Sequence, residues 1–343
     1  MTTDLPHSKL VETALSQYPI KVRCVDFIRH SGSLVHRVED ERGNEYALRL
    51  HQHISDFLSG SWQTPKVINS EMVWLSHLHD ETDIVVQEPI KTTESNWLAL
   101  VDLPTGETSA CTLHRWLNGS CPAPPFTAED AQVIAFLLAD LHIVAEHWSA
   151  PDGFARPTRD SDHLLRALSH IERLVSLGVI VQSDFDCIRM AADQILPTMA
   201  QLGTGPESWG LIHGDLIPSN IVFYQGVASP IDFSESSFGF YLYDIAVCML
   251  RLGPHRRTFL DTYSERRTLP ENARLLVETF LVAQFVEWLA FLSYLPERYD
   301  RAARGVPQIA AEVCTPFLNS IPFLFEPETY NMRASNKEIQ ATN

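Results

Sequence analysis

The chain has 343 residues, of which 45% are hydrophobic and 20% charged, the composition of a globular protein with one large domain or two lobes. Its formal net charge is −17, which disfavours nucleic acid and membrane partners, because binding to anionic backbones or lipids requires a basic excess. The six cysteines form no CxxC pair and have no metal-ligand spacing, which indicates reduced thiols and a cytoplasmic location. Composition leaves the oligomeric state open.

The first hundred residues have the pattern of a sheet. After a short amphipathic helix, runs of β-branched and aromatic residues are separated by Gly, Asn, Ser and Asp. These runs predict strands at 24–28, 34–38, 46–50, 84–89 and 97–103. One helix interrupts the sheet, with Thr64 as its N-cap and Pro65 at its first position.

From Thr127 onwards the pattern is mainly helical, with amphipathic helices following the capped helix that begins there. The apolar run at 273–295 contains charged residues, so we expect a buried helix and no membrane span. No secretory signal is predicted at the N-terminus. The sequence therefore predicts an α+β fold with a sheet-rich part, a helical part and a polar, flexible tail, at residues 1–103, 104–326 and 327–343 respectively.

The densest chemical signal is the segment HGDLIPSN at 213–220, followed by Ile231, Asp232 and Phe233. If Gln225 and Gly226 form a two-residue hairpin turn, strand register places Asn220 opposite Ile231. An amide oxygen and the carboxylate of Asp232 then meet at the open end of this hairpin.

Such oxygen ligands suit Mg²⁺, which takes one or two protein carboxylates and completes its shell with phosphate and water. Asp215 lies five residues before Asn220, so its carboxylate is expected to face the same ion and a nearby hydroxyl group. An aspartate that accepts the proton of an attacking hydroxyl beside a metal–phosphate complex is the machinery of phosphoryl transfer.

These motifs resemble the aminoglycoside phosphotransferase and choline kinase family, which has the bilobal protein-kinase-like fold. The resemblance implies a small β-rich N-lobe and a larger, mostly helical C-lobe, with ATP and Mg²⁺ as donor and cofactor. It makes Asp215 the catalytic aspartate and Asn220 and Asp232 the metal ligands. His213 and Asp244 would support the catalytic loop.

The resemblance also implies nucleotide-binding residues in the N-lobe. Arg49, on a predicted strand, would hold the phosphates and pair with Glu71 of the helix that begins near Thr64. The remaining implied residues belong to the hinge and to a phosphate-covering loop that has a single glycine: Val101, Leu103, Ser31, Gly32 and Ser33.

Two side-chain groups have an open interpretation. Glu235 either caps a turn or assists a second metal ion through water. The second group consists of three aromatic residues near Glu287: Trp288, Tyr294 and Tyr299. They either line a pocket for a cationic amine or pack in the core, and packing in the core is favoured.

The function predicted from these residues is transfer of the ATP γ-phosphate to a hydroxyl of a small molecule. Aminoglycosides, amino alcohols, hydroxyl amino acids and sugars all remain open as acceptors, and the acidic net charge favours a cationic or zwitterionic one. The alternatives are a Ser/Thr protein kinase on the same fold, a nucleotide-binding pseudokinase that acts as a partner protein, and a nucleotidyl transferase.

Overall fold

The N-terminal part of the computed structural model is an antiparallel sheet. The structure describes residues 4–31, 33–51, 64–103, 106 and 108–325. The strands of this sheet are β1 (Val22–Ser31), β2 (Ser33–Asp40), β3 (Glu45–His51), β4 (Pro89–Ile90), β5 (Ala99–Asp102) and β6 (Thr108–Arg115). They are ordered β1-β2-β3-β6-β4, and β5 also pairs with β6.

The burial pattern of the strands follows their position in the sheet. In β2 every second side chain is buried, as in a strand with one covered face. In the central strand β3 nearly every side chain is buried. The core beside the sheet includes Leu48 and Leu113, and it is completed by helix α1 (Asp4–Leu15) through Ala14 and Leu15.

Helix α2 (Pro65–Glu81) interrupts the sheet as predicted. Its N-cap is Thr64, whose hydroxyl accepts a hydrogen bond from the Val67 amide at 3.3 Å, and proline occupies its first position. The buried face of the helix carries apolar residues together with one acid, Glu71. The local capping signal therefore located this element correctly.

The C-terminal part is mainly helical. Its helices are α3 (Ala128–His147), α4 (Ser161–Ser176), α5 (Gln182–Leu202), α6 (Tyr241–Met249), α7 (Arg256–Arg266), α8 (Ala273–Ser293), α9 (Tyr299–Ile309) and α10 (Thr315–Leu318). Helix α8 is long and apolar enough to cross a membrane, but most of it is buried inside the fold. A core helix has the same properties, so α8 is weak support for a membrane span.

Short strands carry the candidate site. They are β7 (Thr158–Arg159), β8 (Trp209–Ile212), β9 (Ile221–Tyr224), β10 (Val227–Pro230) and β11 (Ser237–Phe240). In the β9–β10 hairpin Val227 pairs with Tyr224, and the Ile231 amide donates to the Asn220 carbonyl at 2.9 Å. The predicted hairpin register is confirmed.

The sequence-based strand assignment misplaced one strand and missed another. Of the strand predicted at 84–89, only Pro89 belongs to a strand, β4, which pairs with β6, and residues 84–88 precede it outside any strand. Strand β6 itself was not predicted. Its side chains are buried on both faces, so Thr108–Arg115 lacks the alternation that marks a strand with one solvent face.

Strand β6 also bears on the domain division. It lies beyond the predicted boundary at residue 103, yet it pairs with β3, β4 and β5 of the N-terminal sheet. The division at 103 and the flexible tail remain predictions. Gly32, residues 104, 105 and 107 beside the predicted boundary, and the predicted tail at 327–343 lie outside the described residues.

Candidate active site

The loop after β8 is held in place by its backbone. The carboxylate of Asp244, in the first turn of α6, accepts hydrogen bonds from the amides of His213 and Gly214, both at 2.7 Å. Gly214 has a φ of +80°, and a Cβ there would collide with the Glu235 carbonyl oxygen. Burial raises the pKa of Asp244, but its hydrogen bond and charge interaction with His142 outweigh this and leave it below its usual value.

His213 joins this loop to the hairpin. Its Nδ1 accepts from the amide of Asp215 at 3.3 Å, and its Nε2 contacts the carbonyl oxygen of Ile231 at 3.1 Å. Burial lowers the pKa of the His213 imidazole, which favours the neutral ring that this donor–acceptor pair requires. His213 therefore sets the position of Asp215 relative to the hairpin.

Asp215 and Asn220 are in direct contact. The Asn220 amide nitrogen donates to the backbone carbonyl and to Oδ2 of Asp215, both at 2.9 Å. Burial, followed by the negative charges of Glu235 and Asp232, raises the pKa of Asp215 to about 8. A carboxylate with this proton affinity at neutral pH is suited to accept a proton.

Asp232 connects the hairpin to the N-terminal sheet. It has a left-handed backbone conformation, with φ of 64°, and its carboxylate contacts Arg49 at 2.9 Å and Arg29 at 3.2 Å. Arg49 also contacts Glu71 at 3.1 Å, so the predicted Arg49–Glu71 ion pair is present. Burial raises the pKa of Asp232, but the charges of Arg49 and Arg29 outweigh it and leave the pKa below its usual value.

The donor set fits a magnesium ion that is shared with phosphate. Asn220 uses its amide nitrogen on Asp215, which leaves its amide oxygen for a cation, and Asp232 supplies a carboxylate. Across the described ranges no group of three or more His, Cys, Asp and Glu side chains is placed to hold a metal by itself. One carboxylate and one amide oxygen suit Mg²⁺, which keeps most of its shell for phosphate and water.

The other predicted nucleotide-binding residues that the structure describes lie in or next to strands of the N-terminal sheet. Ser31 and Ser33 flank the turn between β1 and β2 and pair with each other. Val101 is buried in β5, and the Leu103 carbonyl accepts from the Gly106 amide at 2.9 Å in the turn that follows. Their roles toward the nucleotide remain predictions.

The sequence analysis missed Arg156, which joins three parts of the site. Its guanidinium donates to the carbonyl oxygens of Phe233, Ser234 and Ser236, at 3.1, 2.6 and 2.7 Å, and to Val67 of α2 at 3.1 Å. Burial lowers its pKa to about 10. In the sequence Arg156 stands in a proline-containing loop, and no neighbouring residue indicates that its guanidinium binds distant carbonyl groups.

A second buried arginine pairs with both Glu235 and Glu287. Arg159 contacts Glu235 at 3.0 Å and Glu287 at 3.0 Å, and the Tyr243 hydroxyl donates to Glu287 at 2.6 Å. Glu235 also lies in a 3-10 turn that follows Asp232. Glu287 is thus paired inside the fold, which favours the core interpretation, and the two interpretations of Glu235 remain predictions.

A cavity of about 230 Å³ opens beside Asp215. Its apolar lining includes Ile217, Phe285 and Trp288, and its polar lining includes Arg251 and Gln284. Trp288 therefore lines a pocket, whereas Tyr299 packs against the hydrophobic core. The cavity is large enough for a small molecule and adjoins the carboxylate that is suited to accept its proton.

Comparisons with known proteins agree with this geometry. The model of the family described as "Phosphotransferase enzyme family" matches residues 29–276. A homoserine kinase from Nitrobacter winogradskyi is 25% identical over 226 residues, which are 60% of this chain and 64% of that protein. The chain thus spans less than two thirds of the length of this curated relative.

Solved structures share the fold. A microcompartment-associated aminopropanol kinase superposes with a TM-score of 0.75 at 23% identity, covering 91% of this chain and 98% of that one. An amicoumacin kinase in complex with AMP-PNP, Ca²⁺ and its antibiotic has a TM-score of 0.74 at 17% identity, covering 91% and 96%. The predicted α+β fold, with an antiparallel N-terminal sheet and a helical C-terminal part, is confirmed.

Proposed function

Because the chain belongs to the phosphotransferase enzyme family, we propose that it transfers the γ-phosphate of ATP to a hydroxyl group of a small molecule. The observation that carries this proposal is the contact of Asn220 with Asp215, which lines a cavity, while the nearby charge of Asp232 acts on Asp215 and is paired with Arg49 of the N-terminal sheet. Each of these groups has a defined task in phosphoryl transfer.

In the proposed mechanism Asp215 is the catalytic base. It orients the acceptor hydroxyl in the cavity and takes its proton as the oxygen attacks phosphorus. Asn220 holds the Asp215 carboxylate by a hydrogen bond, and Arg49, paired with Glu71, steadies the phosphates. Catalysis then comes mainly from positioning and charge neutralisation.

Asn220 and Asp232 are the residues that would hold Mg²⁺. When bound, this ion neutralises charge on the phosphate oxygens. Ser31, Gly32, Ser33, Val101 and Leu103 would bind the nucleotide. The six cysteines are free thiols, which supports the further proposal of a cytoplasmic location.

The alternatives have less support. A protein kinase is disfavoured because no lysine lies two residues after Asp215 and only eleven residues separate Asp232 from Asp244. A pseudokinase is disfavoured by the complete set of Asp215, Asn220 and Asp232. Transfer of a nucleotidyl group would give a product of different mass.

The test is mass spectrometry of products after incubation with Mg-ATP and pooled amino alcohols, hydroxyl amino acids, sugars and aminoglycosides. The wild type is expected to add one phosphoryl group to an acceptor. Asp215→Asn should reduce turnover by about 10²–10⁴-fold, the usual contribution of a general base, and leave Mg-ATP affinity nearly unchanged. Wild-type turnover in this variant, or Mg-ATP binding without any product, would overturn the proposal.

A further inference from the structure

The cavity beside Asp215 has an unexpected charge. Its wall includes Arg251, at the end of α6, and Arg301, on α9. Asp215 is the one carboxylate among the described residues that line it. The acidic net charge of the whole chain is therefore not reproduced at this surface, which carries two positive charges beside one negative charge.

These two arginines are half-buried, and they differ from the fully buried arginines of the fold. Arg49, Arg159 and Arg267 each contact at least one carboxylate. For Arg251 and Arg301, no ion pair or hydrogen bond with another described residue is present. Because two guanidinium groups that line one cavity without a carboxylate in contact can both donate to an anion, the pair indicates a site for one.

Polar atoms of the wall also lack partners. The Nε of Arg251 and the Oε1 of Gln284 are buried and make no hydrogen bond within the described part of the chain. Trp288 and Phe291 complete the wall with aromatic surface. The site thus offers guanidinium groups for a carboxylate, an amide for a further polar group and apolar surface for a short carbon chain.

The volume of the cavity restricts the size of the acceptor. Its 230 Å³ equals roughly eight water molecules at about 30 Å³ each, which is less than a drug-sized ligand requires. A compound of about four to six carbons fits within this space, whereas a larger acceptor would extend beyond it.

We propose that the acceptor is a small hydroxy acid whose carboxylate binds Arg251 and Arg301 while its hydroxyl faces Asp215. This inference rests on the proposed function and adds to it the chemical class of the acceptor. It excludes amino alcohols without a carboxylate as preferred acceptors, because these would leave both guanidinium groups without an anion.

Two matched pairs of acceptors test the proposal. Homoserine and 3-aminopropan-1-ol differ only by a carboxylate, as do threonine and 1-aminopropan-2-ol. The wild type is expected to phosphorylate at least one of the acids with a kcat/KM at least tenfold above that of its partner. Preference for either amino alcohol would overturn this inference and leave the proposed phosphotransferase function intact.

Variants test the two arginines directly. Arg251→Gln and Arg301→Gln should each raise the KM for the preferred acid about ten- to hundredfold, as loss of a charge-assisted hydrogen bond does, and should leave Mg-ATP affinity unchanged. Arg304→Gln is the matched control, since Arg304 is exposed on the same helix as Arg301 and does not line the cavity. Weaker Mg-ATP binding with an unchanged KM for the acid would assign the arginines to the nucleotide and overturn the inference.

A binding measurement separates this inference from the chemistry. Calorimetric titration of Asp215→Asn with homoserine, in the presence of AMP-PNP and Mg²⁺, should show binding that is lost in the double variant with Arg301→Gln. 3-Aminopropan-1-ol should bind at least tenfold more weakly. Equal affinity for the two compounds would overturn the carboxylate site even if no turnover is found, whereas binding without turnover in the wild type would count against the proposed function alone.

Discussion

At the scale of single residues, burial sets the charge state of two histidines in the N-terminal sheet. The Nε2 atoms of His51 and His114 both lie 3.0 Å from the Thr112 hydroxyl. Burial lowers the pKa of both rings, to about 3 for His114, and the nearby charge of Arg49 acts in the same direction. Both rings are therefore neutral in the folded protein at neutral pH.

This neutrality predicts acid sensitivity. Below pH 6.5 these histidines take up protons in the unfolded chain but not in the folded one, so the free energy of unfolding falls as the pH falls toward about 3. Each such histidine contributes up to about 1.4 kcal/mol per pH unit. Urea unfolding measured between pH 7 and pH 5 should therefore show that the free energy of unfolding changes less with pH in His114→Gln than in the wild type.

The matched control for this measurement is His79→Gln, because His79 is exposed at the end of α2. Its slope should equal that of the wild type. An unchanged slope in His114→Gln would contradict the assignment of a neutral, buried imidazole.

At the scale of elements, the β9–β10 hairpin brings the candidate metal ligands together. Its turn residues, Gln225 and Gly226, have φ values of 50° and 81°. Positive values at both positions define the type I′ turn, whose twist matches that of the paired strands and for which Asn-Gly is the preferred sequence. Glutamine is a less suitable residue there, because the left-handed region favours glycine and the short side chains of Asn and Asp; the Gln225 amide donates only to the Tyr224 hydroxyl, at 3.3 Å.

Replacing Gln225 by asparagine should therefore stabilise the protein. We expect the free energy of unfolding to rise by about 0.5 kcal/mol, while Gly226→Ala should lower it by about 1 kcal/mol. Urea unfolding of the two variants beside the wild type measures both effects. A loss of stability in Gln225→Asn would mean that the turn differs from the one described.

At the scale of the whole molecule, buried arginines connect the N-terminal sheet to the catalytic loops. Arg29 of β1 and Arg49 of β3 both contact the carboxylate of Asp232. Arg156 donates hydrogen bonds both to α2 and to the segment that follows Asp232. The proposed nucleotide site is built from both parts of the chain. Ligand binding there should stabilise the molecule as one unit.

Mg-ATP is expected to raise the melting temperature by about 4 °C at a concentration one hundred times its Kd, because a ligand at that level adds about 2.7 kcal/mol to the folded state. Thermal unfolding with Mg-ATP, with ATP plus EDTA and without nucleotide measures this shift. Asp232→Asn should lose the magnesium-dependent part of the rise in melting temperature. Asp193→Asn, at an exposed position of α5, should retain that part. A full shift in Asp232→Asn would contradict its role as a metal ligand.

The sequence by itself determined the features that depend on neighbours along the chain. The start of α2 at Thr64 and the register of the β9–β10 hairpin follow from capping, turn and strand rules that act over a few residues. The resemblance to the kinase family rested on the same short segments. The Arg49–Glu71 pair came from that resemblance and is present in the structure.

Only the tertiary structure decided which distant side chains meet. Arg156 binds carbonyl groups nearly eighty positions away, and Arg251 and Arg301 reach the Asp215 cavity from two separate helices. Net charge favoured a cationic or zwitterionic acceptor without separating the two, because it sums the whole surface, while recognition depends on the few charges inside one cavity. Local sequence carries no record of such contacts, since they arise when packing of the core brings separate elements together.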